Sequence, residues 1–149
     1  MSAANVIPMS RPSYHHGDLR EALLSAAKAL IAEAGIDNLS LRKLAERAGV
    51  SRTAPYHHFS DKNDLLCAIA AQGFRRRHQD MINTFDNPDT SQQEKFERYI
   101  CDYVKFASDN PEEYELMFGR SIWKQQNSTD ELRDVAYPCF QYQVEMTRV

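Results

Sequence analysis

Within 51-SRTAPYHHFSDK-62, the side chains of Ser51, Arg52, Thr53, Tyr56, His57 and Lys62 crowd hydroxyls, a phenol, an imidazole, a guanidinium and an ammonium into twelve residues. Such a donor-rich set suits contact with phosphate oxygens, readout of base edges or, through His57 and His58, metal ligation. Adjacent residues on a helix point about 100° apart, so the two imidazoles diverge and a metal site is not expected. His15 and His16 have no nucleophile spaced to meet them, and the carboxylates fall at helix starts or on polar faces. No catalytic constellation and no cofactor are therefore expected.

The elements that must present this stretch are helical. From Asp18, a candidate cap, Leu19, Ala22, Leu23, Ala26, Leu30, Ile31 and Ala34 recur at the spacing of one helix face, and Gly35 closes it. Ser40 caps a second helix carrying Leu41, Leu44, Ala45 and Ala48, which Gly49 ends. Ser51 is expected to cap a third, with Pro55 as its fourth residue, so that Arg52, Thr53 and Ala54 lie at its exposed start. Ser60 or Asp61 then caps a fourth helix running to Phe85, roughly 35 Å long. Two short helices joined by 48-AGVS-51 have the layout of a helix-turn-helix, whose second member enters the major groove by its N-terminal end.

Beyond the loop 86-DNPDTSQQ-93, Phe96, Tyr99, Ile100, Tyr103, Val104 and Ala107 mark the apolar side of a fifth helix. Asn110 and Pro111 open a short sixth that Gly119 closes, and Ser128 with Glu131 reads as the capping box of a last helix kinked by Pro138. No alternating strand pattern competes, so the fold is expected to be all-α. It divides into a mobile arm (1–14), a helix-turn-helix unit (15–62) and a helical effector-binding and oligomerisation unit (63–149).

Charge follows the same division. Residues 1–78 hold 11 Lys and Arg against 7 Asp and Glu, a balance of +4, whereas residues 79–149 hold 7 against 14, a balance of −7. The basic half suits a polyanion and the acidic half a different partner. Cys67, Cys101 and Cys139 are dispersed in apolar helical patterns, which suits buried thiols in a reducing compartment. No window has the roughly 18 apolar residues of a membrane span, and a cytoplasmic protein is expected. Arg75, Arg76 and Arg77 read as a solvated basic face.

The residues from Ser40 to Leu66, read as S-L-R-K-L-A-E-R-A-G-V-S-x-x-x-x-Y-x-H-F-x-x-K-x-x-L-L, resemble the TetR-type bacterial transcriptional regulators. The likeness covers residues 15–75. A-P-Y at 54–56 and N-P-E-x-Y-x-L-M-F-G at 110–119 look like one branch of that family. The resemblance implies that Ser51, Tyr56 and Lys62 contact phosphate, that Thr53, Ala54 and His57 lie nearest the bases, and that Phe59 is core. Ser40 and Arg42 join the expected DNA contacts from the start of the second helix, and Arg52 is expected to face base edges with Thr53 and Ala54 from the start of the third. It also implies a homodimer built on further C-terminal helices, so the unit ending at Val149 is expected to look short.

The expected function is a repressor that binds a double-stranded operator and is released by a small apolar or aromatic effector. Phe96, Tyr99, Tyr103, Met117, Phe118, Trp123 and Tyr137 are the candidate ligand residues, since a buried phenol needs a partner that a ligand can supply. The alternative is a helical ligand-binding or protein-interaction module that holds DNA weakly.

Overall fold

The computed structural model describes residues 16–124 and 126–148, in which every regular element is helical. The proposed arm, residues 1–14, lies outside the described residues. Helix α1 (His16–Ala34) buries Leu23, Leu24, Ala27 and Ile31 along one face. It stops where Gly35 adopts φ 83°, its N–H donating to the Ile31 carbonyl at 2.8 Å. A 3₁₀ turn (Ile36–Asn38) leads to α2 (Leu41–Ala48). The Ser40 hydroxyl accepts from the Lys43 amide at 3.1 Å, and Gly49 ends α2 in the left-handed region at φ 68°, where a side chain is strained.

Helix α3 (Lys62–Phe85) is the axis of the molecule. Its stretch Leu65–Ala71 is buried all round, a pattern that marks a helix covered by neighbours on every side. Helices α1, α5 (Pro111–Phe118), α7 (Asp130–Thr147) and α4 (Gln92–Asp109) all pack against it. A Cβ on Gly73 would stand 2.5 Å from the Met117 sulfur, so the α3–α5 approach depends on that glycine. Phe74, fully buried, takes Phe118, Trp123 and Phe140 edge-on with ring centroids 5.4, 6.3 and 5.3 Å away. One continuous core thus runs from Leu23 to Cys139.

Several expectations are corrected. Thr129, not Ser128, caps α7, accepting from the Leu132 amide at 3.2 Å, while Glu131 pairs with Arg20 and Arg75 instead of closing a capping box. The box occurs on α4, between Ser91 and Glu94. As expected, Pro138 falls inside the last helix, which continues to Thr147. A short α6 (Arg120–Trp123) follows Gly119, and the Trp123 indole donates to the Met117 carbonyl at 2.7 Å. Helix α4 buries no residue fully, and of its apolar side Phe96, Ile100 and Val104 face outward. Cys101 is exposed, whereas Cys67 and Cys139 are buried.

Candidate nucleic-acid interface

The 51–59 segment folds as a succession of tight turns. The Ser51 carbonyl accepts from the Ala54 amide at 3.1 Å, the Thr53 carbonyl from Tyr56 at 3.1 Å, and the Pro55 carbonyl from His58 at 3.1 Å and Phe59 at 2.9 Å. The regular part is a 3₁₀ turn (Ala54–His57) flanked by Thr53, so the expected α-helix capped by Ser51 is not formed. Proline decides this. It has no N–H to give and would clash with the preceding turn in an α-helix interior, whereas near the start of a turn neither cost arises.

Pro55 is buried and Phe59 is 1 % exposed, and these two side chains anchor the segment against the core. The anchoring turns Ser51, Arg52, Thr53, Tyr56 and His57 outward, all exposed, with Ala54 half-buried among them. Tyr56 is 57 % exposed, a large ring left in water. The Ser51 and Thr53 hydroxyls lie 3.4 Å apart.

The flanking residues are more occupied. Ser40 spends its hydroxyl on the α2 cap, where it accepts from the Lys43 amide. Arg42 pairs with Glu46 at 3.3 Å, both exposed, a contact that phosphate can displace at little cost. Arg47 is held by Glu33 at 2.8 Å, and its hydrogen bonds lower the Glu33 carboxyl below its usual range. The Lys62 ammonium donates to the Ile36 carbonyl at 2.7 Å, pinning the start of α3 to the link between α1 and α2; two of its three protons stay available. Sequence reasoning missed this tie because it spans 26 residues of chain. Asp61, the candidate shared with Ser60, is the α3 cap, accepting from the Asp64 amide at 2.8 Å.

The candidate ligand residues do not surround one cavity. Met117 is fully buried, and Phe118 and Trp123 meet Phe74 edge-on. Tyr137 lies outside Trp123 at 58 % exposure, and Phe96 is 42 % exposed. Tyr103 meets Tyr114 hydroxyl to hydroxyl at 3.2 Å, and burial, reinforced by that bond, pushes its phenol up to about 12. Burial also raises Tyr99. Tyr99 and Tyr103 line a cleft of about 130 Å³, while a separate cleft of about 280 Å³ opens between α1 and α5 beside Lys28, Arg76 and Glu112. Nor is the arginine run a solvated face. Arg75 and Arg76 pair with Glu131 and Glu113, and Arg77 is buried.

Residues 23–69 match the family model described as bacterial regulatory proteins, tetR family. Among curated proteins, the chain is 41 % identical over 59 residues to the class D tetracycline repressor protein of Escherichia coli, covering 40 % of this chain and 27 % of that protein. It is 34 % identical over 82 residues to the transcriptional repressor BepR of Brucella suis, covering 54 % of this chain and 39 % of that one. It thus spans about a quarter to two fifths of these relatives' lengths. A protein of unknown function from Rhodococcus sp. RHA1 superposes with a TM-score of 0.75 at 32 % identity, over 91 % of this chain and 69 % of that one. The tetR-family regulator PfmR of Thermus thermophilus superposes at 0.64 and 21 % identity, over 85 % and 66 %, a likeness of fold.

Proposed function

We propose that this chain, whose segment 23–69 matches the tetR family of bacterial regulatory proteins, is a DNA-binding transcriptional repressor released by a small effector. The observation that carries the reading is the outward turn 51–57. Ser51, Arg52, Thr53, Tyr56 and His57 stand exposed on a rigid base of Pro55 and Phe59, with the N-termini of α2 and α3 beside them. Thr53, Ala54 and His57 meet base edges. Ser51, Tyr56, Lys62, Ser40 and Arg42 meet phosphate, and Arg52 faces base edges beside Thr53.

Helix α3 carries the signal. It begins at Lys62, beside the DNA-facing turn, and its far half packs on α4, α5 and α7, so a ligand that favours a different tilt of α3 moves the turn. In a homodimer that tilt changes the separation of two turns from the ~34–36 Å of one DNA repeat. A second reading, an interaction module that holds DNA weakly, draws on the exposed Phe96, Ile100 and Val104 of α4 and the exposed Tyr137 and Val144 of α7, a surface suited to a partner.

Fluorescence anisotropy with a labelled operator library, read with light scattering, separates the two. A repressor selects a two-fold symmetric site as a dimer. A chain that scatters as a monomer and shows no preference among duplexes is the interaction module.

A further inference from the structure

Arg77 stands apart from its neighbours in the basic run. It is 6 % exposed and, among the described residues, makes no hydrogen bond or ion pair. What it has instead are ring faces: Tyr103 at 4.5 Å and Phe106 at 5.8 Å from the guanidinium carbon. Those faces cover the plane of the guanidinium and leave its N–H edge unused. It lines a cleft of about 40 Å³ with Thr84 and Tyr99. Asp80 and Asp102, both exposed, also line the cleft, and neither comes within ion-pair distance.

A guanidinium backed by aromatic faces and free of any ion pair keeps its N–H edge open to the cleft, and the two parallel N–H bonds of such an edge match a carboxylate. The space is of the size of such a head group and too small for a whole ligand. Across Tyr99 the wall changes character. There Ile100, Tyr103 and Val104 form the apolar side of the 130 Å³ cleft, with Ile100 44 % and Val104 57 % exposed.

We propose that Arg77 anchors the effector, a monocarboxylic acid with a short apolar tail, its carboxylate on the guanidinium edge between Thr84 and Tyr99 and its tail over Tyr99 along Ile100 and Val104. This rests on reading the C-terminal helices as the effector unit. Arg77 belongs to α3, the helix that starts at Lys62, so pairing it draws directly on the element that bears the DNA-facing turn.

Hexanoate, hexylamine and hexanol, titrated against the whole chain without DNA and followed by calorimetry and melting temperature, test the site. Hexanoate is expected to bind saturably and at least about tenfold more tightly than the other two, and Arg77→Met to lose that margin while Arg77→Lys keeps part of it. Equal affinity for all three, a preference for hexylamine set by Asp80 and Asp102, or no saturable hexanoate binding overturns the proposal. The comparison on the unaltered chain stands even if Arg77→Met does not fold. Operator binding with and without hexanoate is read separately: binding of the acid with unchanged DNA affinity rejects effector release and leaves the carboxylate site in place.

Discussion

Pro55 and Phe59 face inward, and what they press against the core determines which of their neighbours meet solvent. Phe59→Ala removes a ring that is 1 % exposed and is expected to cost about 3–5 kcal/mol, measured by urea denaturation. The exposed neighbours behave differently. Tyr56→Phe should weaken binding to all duplexes alike, while Thr53→Ala should leave non-specific binding intact and relax discrimination at one base position by about 1–3 kcal/mol, read by anisotropy across a randomised operator set. Equal losses on every duplex for both would remove Thr53 from base readout. The thiols offer a check on burial: iodoacetamide should label Cys101 in the native protein, and Cys67 and Cys139, buried and pushed up by that burial, only after unfolding.

The turn at 54–57 depends on α3, and α3 on its cap. Asp61 accepts from the Asp64 amide, and Asp61→Ala is expected to cost about 1 kcal/mol of stability. The fraying it causes at Lys62 also loosens the bond to the Ile36 carbonyl, so operator affinity should fall with stability. Ser91→Ala removes the α4 capping box at a similar cost of about 1 kcal/mol. That cap is remote from the turn, and DNA affinity without effector should be unchanged. The two variants compared by melting and by anisotropy separate a local effect at the 51–57 turn from general destabilisation.

Over the whole molecule, Glu131 on α7 holds Arg20 of α1 at 3.2 Å and Arg75 of α3 at 3.1 Å, so the helix-turn-helix unit is tied to the last helix as well as to α3. DNA affinity should fall with salt along a log–log slope of about −0.9 per phosphate contacted, and Lys62→Ala should lower that slope by about one. Stability should fall at high pH. The unfolded chain releases the Tyr103 proton near 10 and the folded chain keeps it to about 12, so the folded state binds more protons in that interval and loses stability as pH rises through it. Tyr103→Phe, followed by urea denaturation at pH 9 and pH 11.5, should flatten the decline.

Helix periodicity, Gly35, Gly49 and the cap at Ser40 were legible in the chain because each acts through neighbours a few residues away, and the α3 cap was narrowed to Ser60 or Asp61. The outward set Ser51, Arg52, Thr53, Tyr56 and His57 was legible for the same reason, although the form of the turn was misjudged: backbone sterics at Pro55 favoured 3₁₀ winding over an α-helix. Periodicity found the apolar side of α4, yet Tyr99 and Tyr103 turn inward while Phe96, Ile100 and Val104 do not, since a stripe says which residues share a face and not how much of it a neighbour covers. Arg75, Arg76 and Arg77 are three alike letters in sequence with three unlike surroundings in space. Local order, then, was written in the chain by itself. Partners such as Glu131 and Glu113, and the burial of Arg77, were decided by tertiary packing, because the charges and rings that surround a side chain come from helices distant in sequence.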